Sequence, residues 1–337
     1  MTSHVRATAE NGVGHLVLSR PQALNALDLA MIRELAGPLA AWAHDDSVRR
    51  VVVTSDSPKA FCAGGDIRAI RELALKGETE SIRQYFAEEY TLNRLIAEYP
   101  KEYVAVIDGY ALGGGLGISV HGAERIVTEH AVAAMPETAI GFFPDIGASY
   151  FLSRLQGELG TYLGLTGARL TGSDVVASGL ATRFVPRAHL ADAVAALVSG
   201  VDSDSVWGAY TEEVPPIGLP LERIDAVFAG HSAADVLSRI EGETGEWAQA
   251  TREALAAASP TSLAVTLRLI REGAASDLAA CLARELDLAT TVTKTEDFAE
   301  GVRAALVDKD RSPTWRPNAV ADVAPDTIEE LFRPHPA

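Results

Sequence analysis

The chain has 337 residues, of which 47% are hydrophobic and 22% charged, and its formal net charge is −17. That balance suits a soluble globular protein large enough to bury a core as one large domain or two modest ones. A surface so acidic repels nucleic acid and anionic lipid, so neither is expected as a partner, and an anionic ligand would need a local basic patch.

In chain order, Val5 to Ala9 and His15 to Leu18 read as two strands around the turn Asn11-Gly12. Asp28 is placed to cap a helix with Ile32, Leu35, Leu39 and Trp42 on one face. Val51 to Val53 is a short apolar strand, the loop Lys59 to Asp66 follows, and helical segments run from Ile67 to Tyr99. Val104 to Ile107 is a buried strand that leads into a glycine-rich turn, Gly109 to Gly117. Arg125 to Val127 and Ala131 to Ala134 read as further strands. Beyond Gly157 the strand signals fade, and Leu190 to Val198, Ser262 to Arg271 and Leu278 to Thr290 have helical period. Pro215, Pro216 and Pro220 mark a loop that introduces this helical region. Strands alternating with helices predict an α/β core over residues 1–200, and the helical C-terminal region takes 201–337.

No run approaches the roughly 20 apolar residues of a membrane span. Met1 to Ala9 lacks the basic region and apolar run of a secretory leader. Cys62 and Cys281 lie far apart and form no metal-ligand spacing with histidine, so no metal is expected and a reducing compartment, the cytoplasm, is.

Three stretches carry chemistry. Phe61-Cys62-Ala63-Gly64-Gly65-Asp66 lies between a strand and a helix, where adjacent glycines let backbone N–H groups face a cleft. A plain tight turn fits the same pattern. Gly109-Tyr110-Ala111-Leu112-Gly113-Gly114-Gly115-Leu116-Gly117 again follows a strand and opens a helix, whose unused first-turn N–H groups suit a developing anion. Close packing of a helix on a sheet would explain it equally. In Met135 to Asp145, Glu137 and Asp145 stand in an otherwise uncharged, largely apolar run. Desolvation and a second carboxylate both raise a carboxyl pKa, which is how acid–base pairs are made. The competing reading makes Glu137 a cap or surface residue and Asp145 the N-cap of a helix Ile146 to Leu155.

In order and spacing, Phe61 to Asp66, Gly109 to Gly115 and Pro136-Glu137 resemble the crotonase (enoyl-CoA hydratase/isomerase) superfamily. The resemblance implies a spiral of ββα repeats, commonly trimeric or a dimer of trimers, so a homo-oligomer is expected. It also implies an acyl-CoA substrate and an oxyanion hole made by the N–H groups of Gly65 and Gly114. CoA enters only as part of the substrate, and no cofactor is expected. Ala63, Gly64, Gly65, Asp66, Ile67, Gly113, Gly114 and Gly117 match the positions that line the substrate.

Within that family, Phe86 to Tyr90, Ser119 to Gly122 and Pro136 to Asp145 resemble the 3-hydroxyisobutyryl-CoA hydrolases. So do Ser259 to Ser262, Asp297 to Ala304, Asp308 to Asp310 and Ser312-Pro313. Glu89 matches a pocket-lining glutamate of that branch, although a solvated helix face would also hold it. Ile146 to Tyr150 carries less glycine than the branch usually has, which leaves the shape of that wall open. Hydratases of the superfamily use two glutamates. One matches Glu137, but the other position holds Gly117.

The resemblance therefore implies hydrolysis of a short β-hydroxyacyl-CoA such as 3-hydroxyisobutyryl-CoA, a reaction of valine breakdown, with Glu137 and Asp145 as its acids. An enoyl-CoA hydratase or isomerase is the alternative, and a non-catalytic acyl-CoA-binding protein a further one. Cys62 has no activating base in view and reads as a buried side chain. His121 reads as a packed polar residue. Arg68 and Arg71 are candidates for CoA phosphates, or simply an exposed helix face.

Overall fold

The computed structural model describes residues 3–334. Residues 1, 2 and 335–337, the outer ends of the two predicted regions, lie outside the described residues. The chain folds as two compact units that interleave along the sequence. One takes the residues up to Gly65, Glu88–Ala134 and Arg169–Gly218; the other takes Asp66–Ala87, Met135–Ala168 and the residues from Leu219 onward. This is a different partition from a single boundary at residue 200.

Every strand among the described residues belongs to the first unit. In chain order they are β1 (Val5–Glu10), β2 (Val13–Leu18), β3 (Arg50–Ser55), β4 (Ala60–Cys62), β5 (Glu102–Ile107), β6 (Tyr110–Leu112), β7 (Glu124–Val127), β8 (Val132–Ala134), β9 (Leu170–Thr171) and β10 (Arg183–Phe184). They form a six-stranded sheet, β1-β2-β3-β5-β7-β10, and a four-stranded sheet, β4-β6-β8-β9. The hairpin β1–β2 is antiparallel, turning through Asn11 at φ 54° and Gly12 at φ 81°, both positive as a tight two-residue hairpin turn requires. From β2 outward the large sheet is parallel. The small sheet is parallel except at β8–β9.

The pairs β3/β4, β5/β6 and β7/β8 each send one strand to each sheet, and this is the expected spiral of β-β units. Alternate residues of a parallel sheet must be covered on both faces. Val13, Val52, Val104, Val106 and Ile126 pack with Leu197, Val206 and Trp207, from the helices Arg187–Val198 and Ser203–Tyr210. The helix Leu29–Ala43 starts as predicted, with the Asp28 side chain accepting from the Met31 N–H, and buries Ile32, Leu35, Leu39 and Trp42.

Among the described residues the second unit contains only helices and turns. Side-chain caps fix several helix starts: Ser259 for Pro260–Gly273, Asp277 for Leu278–Val292 and Thr295 for Glu296–Val302. Its core includes a chain of rings, with Phe142 stacked on Phe143 at 4.5 Å between centroids and 5.7 Å from both Phe86 and Phe298. No described helix is long and apolar enough to cross a membrane.

Candidate active site

In the first unit the two glycine runs pack backbone against backbone. The Phe61–Gly65 loop is tied down by Asn25, whose side chain donates to the Phe61 carbonyl at 2.9 Å, and by the Leu27 N–H, which donates to Gly64 O at 2.8 Å. The Gly113 N–H donates to Ala134 O at 3.2 Å, so β8 holds the second run in place. Gly113 sits at φ 46° and ψ −118°, a conformation that L side chains rarely adopt, and it launches a single helical turn, Gly114–Gly117. So short a helix has little macrodipole, and the donors act as discrete N–H groups. Among the described residues, neither the Gly65 nor the Gly114 N–H is taken up by a backbone carbonyl.

The fit at Gly114 admits no side chain. A Cβ built there would lie 2.6 Å from Glu89 Oε1 and 3.2 Å from Gly65 N. Glu89 is only 2% exposed, so the solvated-face alternative does not hold. The first unit therefore brings Gly64, Gly65, Gly113, Gly114 and Glu89 together. Gly117 closes the helical turn, buried and without a functional group. Ala63 is half-buried, and its N–H donates to Leu24 O at 3.0 Å.

In the second unit Glu137 opens a 3₁₀ turn, Glu137–Ile140, and is 8% exposed. That turn is anchored on both sides. Thr138 Oγ1 donates to Leu165 O at 3.1 Å, and the Ser259 N–H donates to Thr138 O at 3.0 Å. Gly141 backs directly onto the carbonyl of Asp297. Asp297 in turn accepts from Ser259 Oγ at 2.6 Å and from the Arg316 N–H at 2.8 Å. The motifs at Ser259–Ser262 and Asp297–Ala304 thus serve as the buttress of the Glu137 turn.

Asp145 is 6% exposed, and it is not the helix cap that the sequence allowed. The following helix is only Ala148–Phe151, with Gly147 at its N-cap position. Ile146 at φ 58° and Gly147 at φ 83° turn the chain between them. The wall Ile146–Tyr150 is shaped by a residue that sequence reasoning missed. Glu285, fully buried on the helix Leu278–Val292, accepts from Gly147 N at 2.6 Å, from Ser149 N at 3.0 Å and from the Ser149 hydroxyl. Burial pushes its carboxyl up to about 8; the Ser149 and Gly147 hydrogen bonds oppose the rise, and the charge of Asp145 adds to it.

The remaining candidates resolve plainly. Asp66 caps the helix Ile67–Leu75, accepting from the Ala69 N–H at 3.4 Å, and Ile67 is its first residue. Cys62 is completely buried, and burial pushes its thiol up to about 12, which removes it as a nucleophile. Arg68 is exposed, whereas Arg71 is committed to the Ala299 carbonyl at 2.8 Å. His121 is half-buried. The described residues contain no cluster of His, Cys, Asp and Glu able to hold a metal.

Residues 13–332 match the family model for enoyl-CoA hydratase/isomerase. The chain belongs to the enoyl-CoA hydratase/isomerase family. Within this family it is 40% identical to the mitochondrial 3-hydroxyisobutyryl-CoA hydrolase of Gallus gallus, over 96% of this chain and 87% of that protein. It is 42% identical to 3-hydroxyisobutyryl-CoA hydrolase 1 of Arabidopsis thaliana, over 98% and 91%. Among solved structures, a carnitinyl-CoA dehydratase of Mycobacterium thermoresistibile superposes with a TM-score of 0.94 at 37% identity, covering 99% of this chain and 97% of that one. The hydratase/isomerase-family fold is thus matched nearly end to end, while the names of its relatives divide between hydrolysis and dehydration.

Proposed function

We propose that the chain hydrolyses a short β-hydroxyacyl-CoA thioester, 3-hydroxyisobutyryl-CoA to 3-hydroxyisobutyrate and free CoA. One observation carries the choice: two buried carboxylates, Glu137 and Asp145, share a braced segment, while Gly117 offers no functional group where a hydratase of this family would place its second glutamate. Names of curated relatives at about 40% identity support the same substrate.

In this reading the N–H groups of Gly65 and Gly114 receive the thioester oxygen as it becomes an oxyanion. Such a donor is worth about 3 kcal/mol of transition-state stabilisation. Glu137 delivers oxygen to the carbonyl carbon, by direct attack or through a water whose proton it takes. The C–S bond breaks and the thiolate leaves with a proton. Asp145 orients the substrate hydroxyl or supplies that proton. Water ends as the acid's second oxygen and the two protons. No electrons change hands, so the reaction needs no redox cofactor, and CoA enters as part of the substrate.

The dehydratase name of the structural relative supports a second reading, hydration of an enoyl-CoA. Glu137 alone supports proton transfer, but addition of water across a double bond would lack the second acid. Thiol release and hydration, measured side by side on the same protein, separate the two readings. We further propose a role in valine breakdown, a family-like homo-oligomer and a reducing compartment. The buried, unpaired Cys62 and Cys281 support the last, and the cytoplasm is one such compartment.

A further inference from the structure

We infer that Glu285 is a positioning residue for Asp145, clamping the turn Asp145–Ser149 so that the Asp145 carboxylate keeps one direction. This rests on the proposed hydrolase reading, in which Asp145 meets the substrate.

The turn needs a clamp. Ile146 is β-branched and fully buried, yet it sits at φ 58°, a left-handed conformation that such residues strongly disfavour. Strain of this kind persists only where surrounding contacts over-determine the backbone. Glu285 supplies those contacts. Its two oxygens take the Gly147 N–H at 2.6 Å, the Ser149 N–H at 3.0 Å and the Ser149 hydroxyl. The turn closes on itself through the Ala148 N–H, which donates to Asp145 O at 2.9 Å. A relaxed turn would swing the backbone that carries Asp145.

A fully buried carboxyl is a costly way to brace a loop if bracing is its whole task. The groups that face Glu285 are Asp145 and Cys281, with Arg284 and Arg154 acting on Cys281. Both arginines are otherwise engaged, Arg284 with Glu272 at 3.1 Å and Arg154 with the Tyr150 carbonyl at 2.8 Å. Glu285 is therefore held mainly by the three donors of the Asp145 turn.

The test is a double-mutant cycle on the full chain, read as kcat and KM for thiol release from 3-hydroxyisobutyryl-CoA. Glu285→Gln keeps the side-chain size but turns a donor toward a donor. It is expected to lower kcat about tenfold while KM moves less than about threefold. In an Asp145→Asn background it should add less than about threefold, because residues acting through one another are not additive. Should Glu285→Gln fail to fold, Ser149→Ala deletes one hydroxyl bond and keeps the cycle answerable. Its expected loss is roughly two- to fivefold, again absent beside Asp145→Asn. Losses that multiply in the double variant, or wild-type kcat in the folded single variant, would overturn the positioning role and leave the hydrolase reading standing. Wild-type turnover by Asp145→Asn alone would overturn both.

Discussion

The Glu89 carboxylate lies against Gly114 so closely that a methyl group on Gly114 would come within 2.6 Å of its Oε1. A buried acid thus packs beside an N–H group proposed to stabilise an oxyanion. Gly114→Ala retains the N–H but must displace Glu89. It is expected to lower kcat/KM for thiol release by roughly tenfold or more. Gly114→Pro removes the N–H in addition to displacing Glu89, and should cost at least about 10²–10³ in kcat. Wild-type rates in folded Gly114→Pro would remove Gly114 from the donor pair.

Glu137→Gln is expected to lose at least about 10² in kcat without loss of fold, since it keeps shape and removes the base or nucleophile. Asp145→Asn should also lose kcat, more on 3-hydroxyisobutyryl-CoA than on the corresponding acyl-CoA without a hydroxyl. Steady-state rates on that substrate pair decide the point. Equal losses on both would take Asp145 off the substrate hydroxyl and leave it the leaving-group proton.

Glu285 also makes stability depend on pH. Its carboxyl titrates at about 8 in the fold, against about 4.3 in an unfolded chain. Between those values the folded chain holds a proton that the unfolded chain has released. Stability therefore falls as pH rises through this window and levels off above it. Glu285→Gln carries no such proton. Matched thermal scans between about pH 5 and 8 should show the wild type losing melting temperature relative to Glu285→Gln. A difference independent of pH would mean that Glu285 is not raised.

Much of the first unit was legible in the sequence. Valine-rich runs marked β3 and β5, and Asn11-Gly12 marked the hairpin, because these signals are local. β4 and β6 were hidden, being three residues long and running straight into glycines that read as loop. β9 and β10 have two residues each, too few for any period. Glu137 and Asp145 stood out because charge is scarce around them. The cap reading of Asp145 was wrong for a reason no pattern carries, namely the positive φ of Ile146. Glu285 gave no signal at all. In sequence it is one acid between Arg284 and Asp287 on an amphipathic helix, and only the fold shows it to be buried.

Cys62 supplies a control within the same loop as the proposed donor Gly65. A thiol pushed up to about 12 by burial is neither nucleophilic nor readily alkylated. Native protein treated with iodoacetamide should keep its thiol-releasing activity, and mass spectrometry should find Cys62 unmodified. Inactivation in step with Cys62 alkylation would place that thiol in the chemistry.

The most direct measurement runs two assays on one preparation: release of free thiol from 3-hydroxyisobutyryl-CoA, and hydration of crotonyl-CoA followed by loss of its conjugated double bond. With Gly117 in place of a second acid, thiol release should be clear and hydration negligible. Gly117→Glu should impair hydrolysis and gain at most a trace of hydration, since reacting atoms must be aligned within about 3–3.5 Å. Wild-type hydration faster than thioester hydrolysis would contradict the hydrolase reading and establish the hydratase in its place.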